Sequence, residues 1–162
     1  MTGGSEEWRV VLEPARWVIC RIAGPEEHSE AGRAWRRLEG ADARPAEVVL
    51  TILVGWGGGG RYHHTEVVET DREVRIEALI ERRVPVTPDP GIFYARTLEL
   101  NTGIVEVHLA APLGERALLG AAAADDPLGT LLRSERSFPA DASPLQVVRP
   151  PTGGGAPPHP AT

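Results

Sequence analysis

The chain lacks lysine altogether, so all 17 of its basic side chains are arginines. Glutamine and asparagine occur once each, as Gln146 and Asn101, whereas arginine, alanine, glycine and proline are abundant, a bias typical of a GC-rich bacterial genome. The 162 residues include 23 acidic side chains and carry a formal net charge of −6. This balance argues against a general nucleic-acid-binding protein, because such a protein displaces phosphate counterions with a basic surface.

Cysteine is nearly absent as well, and Cys20 alone excludes an internal disulfide and a cysteine-rich metal site. It lies in the apolar run 18–22, which predicts a small buried hydrophobe. No apolar run approaches the ~18 residues that a membrane span needs. The first apolar stretch is interrupted by Arg9, Glu13 and Arg16, so we see no signal peptide and expect a cytoplasmic protein.

A change in composition near residue 120 predicts the domain organisation. In 120–162, proline and glycine supply 13 of 43 residues and Leu, Ile, Val and Phe only 7, too few to favour collapse. We therefore expect a flexible N-terminus at 1–7, one β-rich domain at 8–120 and a largely disordered tail at 121–162. Within the tail, Leu128, Leu131 and Leu132 favour one short docked turn, and disorder is expected from 139 onward.

The ordered part is expected to be mainly β, a small antiparallel β-sandwich. The segment 47–54 is apolar at almost every position, as in a central strand covered on both faces. In 73–81 the apolar residues Val74, Ile76, Ala78 and Ile80 alternate with charged ones. Further strands are expected at 8–12, 16–22, 62–70, 92–100 and 104–109, with a hairpin connection at 101–103.

One short helix is predicted at 25–39. Proline at its start, acidic residues in its first turn and arginines towards its end suit a helix, and Gly40 would end it. Ala31, Trp35 and Leu38 would form its buried stripe. Trp8, Trp17 and Trp35 are together expected to build one end of the core.

Four motifs follow one another through the β-rich part: Gly-Trp-Gly-Gly-Gly-Gly at 55–60, Val-Val-Glu-Thr-Asp-Arg-Glu-Val at 67–74, Arg-Thr-Leu at 96–98 and Pro-Leu-Gly-Glu-Arg-Ala-Leu-Leu at 112–119. With these motifs the stretch 47–121 resembles an uncharacterised small β-domain of GC-rich bacteria. The resemblance implies a β-sandwich and brings no known activity. Members of that group often carry a cysteine in the glycine loop and another before the Arg-Thr strand, and this chain has neither.

One set of side chains has metal-ligand chemistry, namely His63, His64, Glu66 and His108. Adjacent residues of a strand point to opposite faces, so only one of the two neighbouring histidines can join His108 unless the strand has a bulge. The spacing matches no zinc motif. We therefore expect surface histidines and no cofactor, with a metal site as the alternative.

The glycine loop lacks the Lys-Ser/Thr and the following helix of a phosphate-binding loop. Its tryptophan is the more informative residue, because an aromatic side chain on a loop tip can anchor a partner. We predict a binding surface formed by Trp56, Arg61 and Tyr62. The competing interpretation is that Trp56 covers the open end of the core.

These patterns favour a non-catalytic β-sandwich that serves as a binding or assembly module, with another protein as the expected partner and no nucleic acid or membrane span. No serine lies in a G-x-S-x-G elbow, and Cys20 has no neighbour that would lower its pKa on its own face. The alternative is a small metal-dependent enzyme or metal-binding protein that uses His63 or His64 with His108.

Overall fold

The computed structural model describes residues 7–85, 100–134 and 136–151. In these ranges the chain is mainly β, as predicted, with a single helix. The elements follow in the order β1 (Trp8–Pro14), β2 (Arg16–His28), β3 (Ala34–Gly40), β4 (Val49–Gly57), β5 (Gly60–Glu69), β6 (Glu73–Pro85), β7 (Leu100–His108), β8 (Ala117–Leu119), α1 (Pro127–Arg133), β9 (Arg136–Pro139) and β10 (Gln146–Val148).

The strands form two sheets. In the small sheet β6 lies between β1 and β5, and β8 runs parallel to β6. The large sheet has the order β10-β7-β4-β2-β3-β9. Neighbouring strands are antiparallel except in two short pairs, β8 with β6 and β10 with β7.

The main core lies between the two sheets. The even-numbered residues of β6, from Val74 to Ile80, point inward and are buried, which confirms the predicted alternation. They pack against Ile52 of β4 and Val107 of β7, and the residues two positions away on the same faces, such as Leu50, Val54 and Val105, are also buried. Since successive side chains of a strand point to opposite faces, the odd-numbered residues of β6 lie on the outer face of the small sheet.

A second core covers the other face of the large sheet. Val18, Cys20 and Leu53 point away from the small sheet and pack under α1, whose Leu132 is almost fully buried. This confirms the predicted docked turn. Among the described residues no helix has the length and the apolar character needed to cross a bilayer.

The predicted helix at 25–39 is wrong. That segment contains the end of β2, a turn in which Ser29 N–H donates to Arg33 O, and β3. Strand β3 pairs with β2 on one side and with β9 on the other, and both ladders satisfy its backbone groups. Leu38 is buried by this pairing, so tertiary contacts decide against a weak helical preference.

Two further boundaries need correction. The tail expected at 121–162, with disorder from 139, needs correction in its described part: α1 and β9 belong to the fold, Gln146–Val148 pairs with β7, and Leu145 N–H donates to Ile104 O. Residues 101–103 are not a hairpin connection but lie inside β7. The expected N-terminal segment up to residue 6, most of the expected strand 92–100 and the final residues 152–162 lie outside the described residues.

Candidate functional site

A β-bulge in β5 places the two adjacent histidines on one face. Tyr62 is opposite Ile80 and His64 is opposite Leu79, so His63 is the extra residue between them. A bulge inserts one residue without a partner and re-aims the side chains around it. The two imidazole rings therefore lie together, with their centroids 4.8 Å apart, on the outer face of the small sheet.

The two rings and two carboxylates form what we call the histidine cluster, made of His63, His64, Glu66 and Glu81. The two Nδ1 atoms are 2.6 Å apart. His64 Nε2 lies 3.0 Å from Glu66 Oε1, and His63 Nε2 lies 4.0 Å from Glu81 Oε2. The side chains of His63 and His64 are 43% and 31% exposed, so solvent reaches both rings.

His108 does not join this cluster, so the alternative of a metal site that pairs His63 or His64 with His108 is not formed in the described residues. It lies on β7 between Val107 and Leu109, which point into the main core, so its own side chain is on the outer face of the large sheet. Its Nε2 lies 3.1 Å from Glu106 Oε1 on the same strand. Across 7–85, 100–134 and 136–151, no three His, Cys, Asp or Glu side chains are grouped so that they could hold a metal ion.

The predicted loop-tip position of Trp56 is wrong. Trp56 belongs to β4, is only 8% exposed and packs in the main core. Its Nε1 donates to Gly60 O at 2.9 Å, and its ring is tilted against Tyr62 at a centroid distance of 6.5 Å. The geometry fits the competing interpretation, in which the Trp56 indole covers one end of the core.

Of the predicted binding residues, only Arg61 is strongly exposed, with 80% of its side chain accessible and its Nε paired with Glu81 Oε1. Tyr62 is half-buried. Its hydroxyl group lies 2.7 Å from Thr65 Oγ1 and donates to Gln146 Oε1 at 2.5 Å. Burial raises the pKa of Tyr62, and the hydrogen bond with Thr65 opposes that rise. Tyr62 thus joins β5 to β10 through its hydroxyl group.

Cys20 is buried in the second core, as predicted. Burial raises the pKa of its thiol to about 12. The side chain is therefore a neutral apolar group near pH 7, without the thiolate that a nucleophile or a metal ligand requires.

Strand β1 carries an exposed apolar stripe that the sequence argument did not single out. Val10 and Leu12 lie on the outer face of the small sheet and are 57% and 47% exposed, and Trp8 on the same face is also exposed. The expectation that Trp8 belongs to the core is wrong, whereas Trp17 is buried as predicted. In the sequence, the spacing of Trp8, Val10 and Leu12 shows that these side chains share one face of the strand. It does not show whether that face is buried or exposed, because this depends on the sheet that the strand joins.

Neither the family models nor the curated proteins nor the solved structures with which the chain was compared include a match. The resemblance of 47–121 to a small β-domain therefore stays a prediction.

Proposed function

We propose that this protein is a non-catalytic β-sandwich that acts as an assembly module, and that it binds a second copy of itself through the edge strand β1. The observation that carries the proposal is the combination of exposed apolar and self-complementary charged residues on that strand. Within the described residues β1 pairs with β6 alone, so its other edge faces no described strand. An edge strand of this kind is a template for pairing with another chain.

The sequence of β1 is self-complementary when two copies run antiparallel around Val11. In that register Val10 lies opposite Leu12 of the partner copy, and Arg9 lies opposite the partner's Glu13. Two-fold symmetry repeats both pairs, which gives an isologous interface. Opposite charges placed directly across antiparallel strands stabilise the pairing by about 0.2–1 kcal/mol each.

The apolar side chains supply the rest of the proposed interface. Val10 and Leu12 are half-exposed in the single chain, and pairing two β1 strands brings four such side chains together on one face. Burial of this apolar surface favours association. Glu13 also accepts a hydrogen bond from Arg82 Nε of β6 at 3.0 Å, and this bond holds the Glu13 carboxylate in place.

The alternative, a small metal-dependent enzyme or metal-binding protein that uses His63 or His64 with His108, is less well supported, because His108 lies on the other sheet. The buried Cys20 and the half-buried Tyr62 offer no activated nucleophile. An assembly role needs neither, and this is why we prefer it.

The test is sedimentation velocity of the full chain over a wide concentration range, with the variant Arg9→Glu. The substitution replaces two attractive pairs by two repulsive ones, and we expect it to weaken dimerisation by about 2 kcal/mol, or roughly 30-fold in Kd. Arg72→Glu makes the same change of charge in the exposed turn between β5 and β6 and is expected to leave dimerisation unchanged.

A second pair of variants separates apolar contact from charge. Val10→Thr is expected to weaken the dimer, whereas Val68→Thr, on β5 of the same face and equally exposed at 57%, is expected to leave it intact. A protein that stays monomeric at all concentrations would overturn the proposal. So would a dimer that responds to Arg72→Glu and Val68→Thr as strongly as to the two β1 variants.

A further inference from the structure

The edge of β6 that faces β1 has an interval that none of the described strands covers. Strand β1 pairs with residues 79–85 and β8 pairs with residues 73–75, so neither pairs with the backbone of 76–78. A cavity of about 330 Å³ lies at this interval. Its apolar lining consists mainly of Pro14, Ala15, Trp17, Ala78, Leu119 and Gly120.

The cavity suits an apolar side chain better than the backbone of a further strand. Trp17 Nε1 donates to Ile76 O, and Ala15 N–H donates to Ala78 O, so both of these β6 carbonyl groups already have a donor. A further strand would have to share or displace these donors to build its own ladder. An apolar side chain that enters the cavity leaves both hydrogen bonds intact.

Strand β1 carries a matching side chain at its other end. Trp8 lies on the outer face of the small sheet and is 40% exposed. In the dimer proposed above, two β1 strands run antiparallel around Val11, and Trp8 and Pro14 are each three residues from this centre. The partner's Trp8 therefore lies directly opposite Pro14. Since residues directly opposite each other share a face of the sheet, both side chains are on the outer face.

We propose that Trp8 of each copy inserts its indole into the cavity beside Pro14 of the other copy. This inference rests on the proposed dimer through β1 and identifies the side chain that anchors it. Directly opposite residues of antiparallel strands have Cβ atoms about 4.5–5.5 Å apart, so the indole reaches a cavity whose wall begins at Pro14. A tryptophan that fills an interface pocket is the type of side chain that dominates binding energy.

The polar part of the cavity lining also suits an indole. Arg75 and Glu77 line the cavity beside its apolar wall, and the Arg75 side chain is 60% exposed. A guanidinium group binds favourably over the face of an indole ring, and a carboxylate accepts a hydrogen bond from the indole N–H. Two-fold symmetry repeats the contact, so two tryptophans flank the Arg9–Glu13 pairs of the interface.

The test is a double-mutant cycle on dimerisation of the full chain, measured by sedimentation velocity, with thermal melts to check that each variant is folded. We expect Trp8→Ala to raise Kd at least about 30-fold. Leu119→Ala removes part of the cavity wall and should raise Kd about fivefold. In the Trp8→Ala background the same change should add less than about twofold, because the wall then has no indole to contact.

Val68→Ala is the matched control for Leu119→Ala, because Val68 on β5 and Leu119 on β8 both lie across from Arg75. It should leave Kd unchanged. A chain labelled with 5-fluorotryptophan gives a direct readout, with the Trp8 signal assigned by its loss in Trp8→Phe. The difference in its ¹⁹F shift between H₂O and D₂O should shrink as the protein concentration rises through Kd, since the indole leaves the solvent.

The outcomes separate the anchor from the dimer itself. A dimer that is weakened by Arg9→Glu but not by Trp8→Ala overturns the anchor and leaves the interface through β1 in place. Fully additive effects of Trp8→Ala and Leu119→Ala also overturn it, because they place the indole outside the cavity. A protein that is monomeric at all concentrations overturns both the anchor and the proposed dimer.

Discussion

The indole Nε1 of Trp17 donates a hydrogen bond to the carbonyl oxygen of Ile76, 3.0 Å away across the interior. Trp17 belongs to the large sheet and Ile76 to the small one, so this bond joins the two layers. Along this edge of β6, β8 pairs with residues 73–75 and β1 pairs with residues 79–85, so neither strand pairs with the backbone of residues 76–78. Trp17 satisfies the Ile76 carbonyl group in this interval, and Ala15 N–H donates to Ala78 O at 2.8 Å.

We expect Trp17→Phe to destabilise the protein by about 3 kcal/mol. The substitution leaves the Ile76 carbonyl group without its donor and opens a cavity where the larger ring stood. Trp35→Phe, at a half-buried position, is expected to cost less than about 1 kcal/mol. Urea denaturation monitored by circular dichroism measures both, and equal losses would show that the Trp17 bond is not what joins the sheets.

Gly120 packs against the same carbonyl group. Its φ is +108°, and a Cβ atom at this position would lie 2.1 Å from Ile76 O. Gly120→Ala is therefore expected to cost more than about 3 kcal/mol, from backbone strain and overpacking together. Gly32 also has a positive φ, of +78°, but a Cβ there meets nothing within 4 Å.

Gly32→Ala thus isolates the backbone contribution, and it is expected to cost only about 1–2 kcal/mol. The difference between the two variants, taken from their urea midpoints, reports the steric clash. A Gly120→Ala protein as stable as Gly32→Ala would mean that the backbone near 120 moves away from β6 at little cost.

The alternation along β6 leads to a third expectation. Ile76 is 1% exposed in the main core, and Ile76→Ala is expected to lower the free energy of unfolding by about 2–5 kcal/mol through cavity formation. Glu77→Ala, on the outer face of the same strand, is expected to change it by less than about 0.5 kcal/mol. Thermal melts of the two variants decide the point, and comparable losses would contradict the register of β6.

The faces of β6 were predictable because its two sides differ in chemistry, and a period of two is visible in one stretch of sequence. The strand structure of β3 was not predictable in this way, because it depends on pairing with β2 and β9. Leu38, for example, is opposite Arg136, which lies far along the chain. The same holds for β10, which is stabilised by pairing with β7. The composition of a local segment does not identify strand partners that lie far away in the sequence.

The candidate site divides in the same way. Adjacent histidines were recognised as needing a bulge to meet, but a bulge depends on the register between two strands and not on one segment alone. Trp56 was misplaced for a related reason. The glycines around it resemble a flexible loop in the sequence. In the structure, however, residues 49–57 of β4 pair with β7 without a break, and this pairing places the Trp56 indole in the core.

The burial of Cys20 predicts its chemistry. Since burial raises the pKa of the thiol to about 12, the thiolate is nearly absent at pH 8, and a thiol reagent should not label the native protein there. Unfolding in urea at the same pH should expose one reactive thiol per chain. The raised pKa also predicts that stability is retained below pH 9 and falls as the pH rises towards 12, because the unfolded chain loses this proton first. Rapid labelling of the native protein would contradict the buried position.

The segment after β9 supports the last expectation, which concerns truncation. Gln146 Oε1 accepts hydrogen bonds from Thr65 N–H at 2.8 Å and from the Tyr62 hydroxyl group at 2.5 Å, so it connects an edge of the large sheet with an edge of the small one. Leu145 covers Gly103, where an added Cβ would lie 2.2 Å from its Cδ1. A chain ending at Pro139 loses these contacts together with the β10–β7 ladder.

We expect that truncation to lower stability by about 2–4 kcal/mol, because the Thr65 N–H and the Tyr62 hydroxyl group lose their shared acceptor and apolar surface is newly exposed. A chain ending at Pro151 keeps every described contact and is the matched control, expected to melt with the full-length protein. Gln146→Ala in the full chain should reproduce part of the loss, about 1–2 kcal/mol, because it removes the shared acceptor while leaving β10 in place. If the chain ending at Pro139 melts at the full-length temperature, β10 and Gln146 do not hold the two sheets together at this edge.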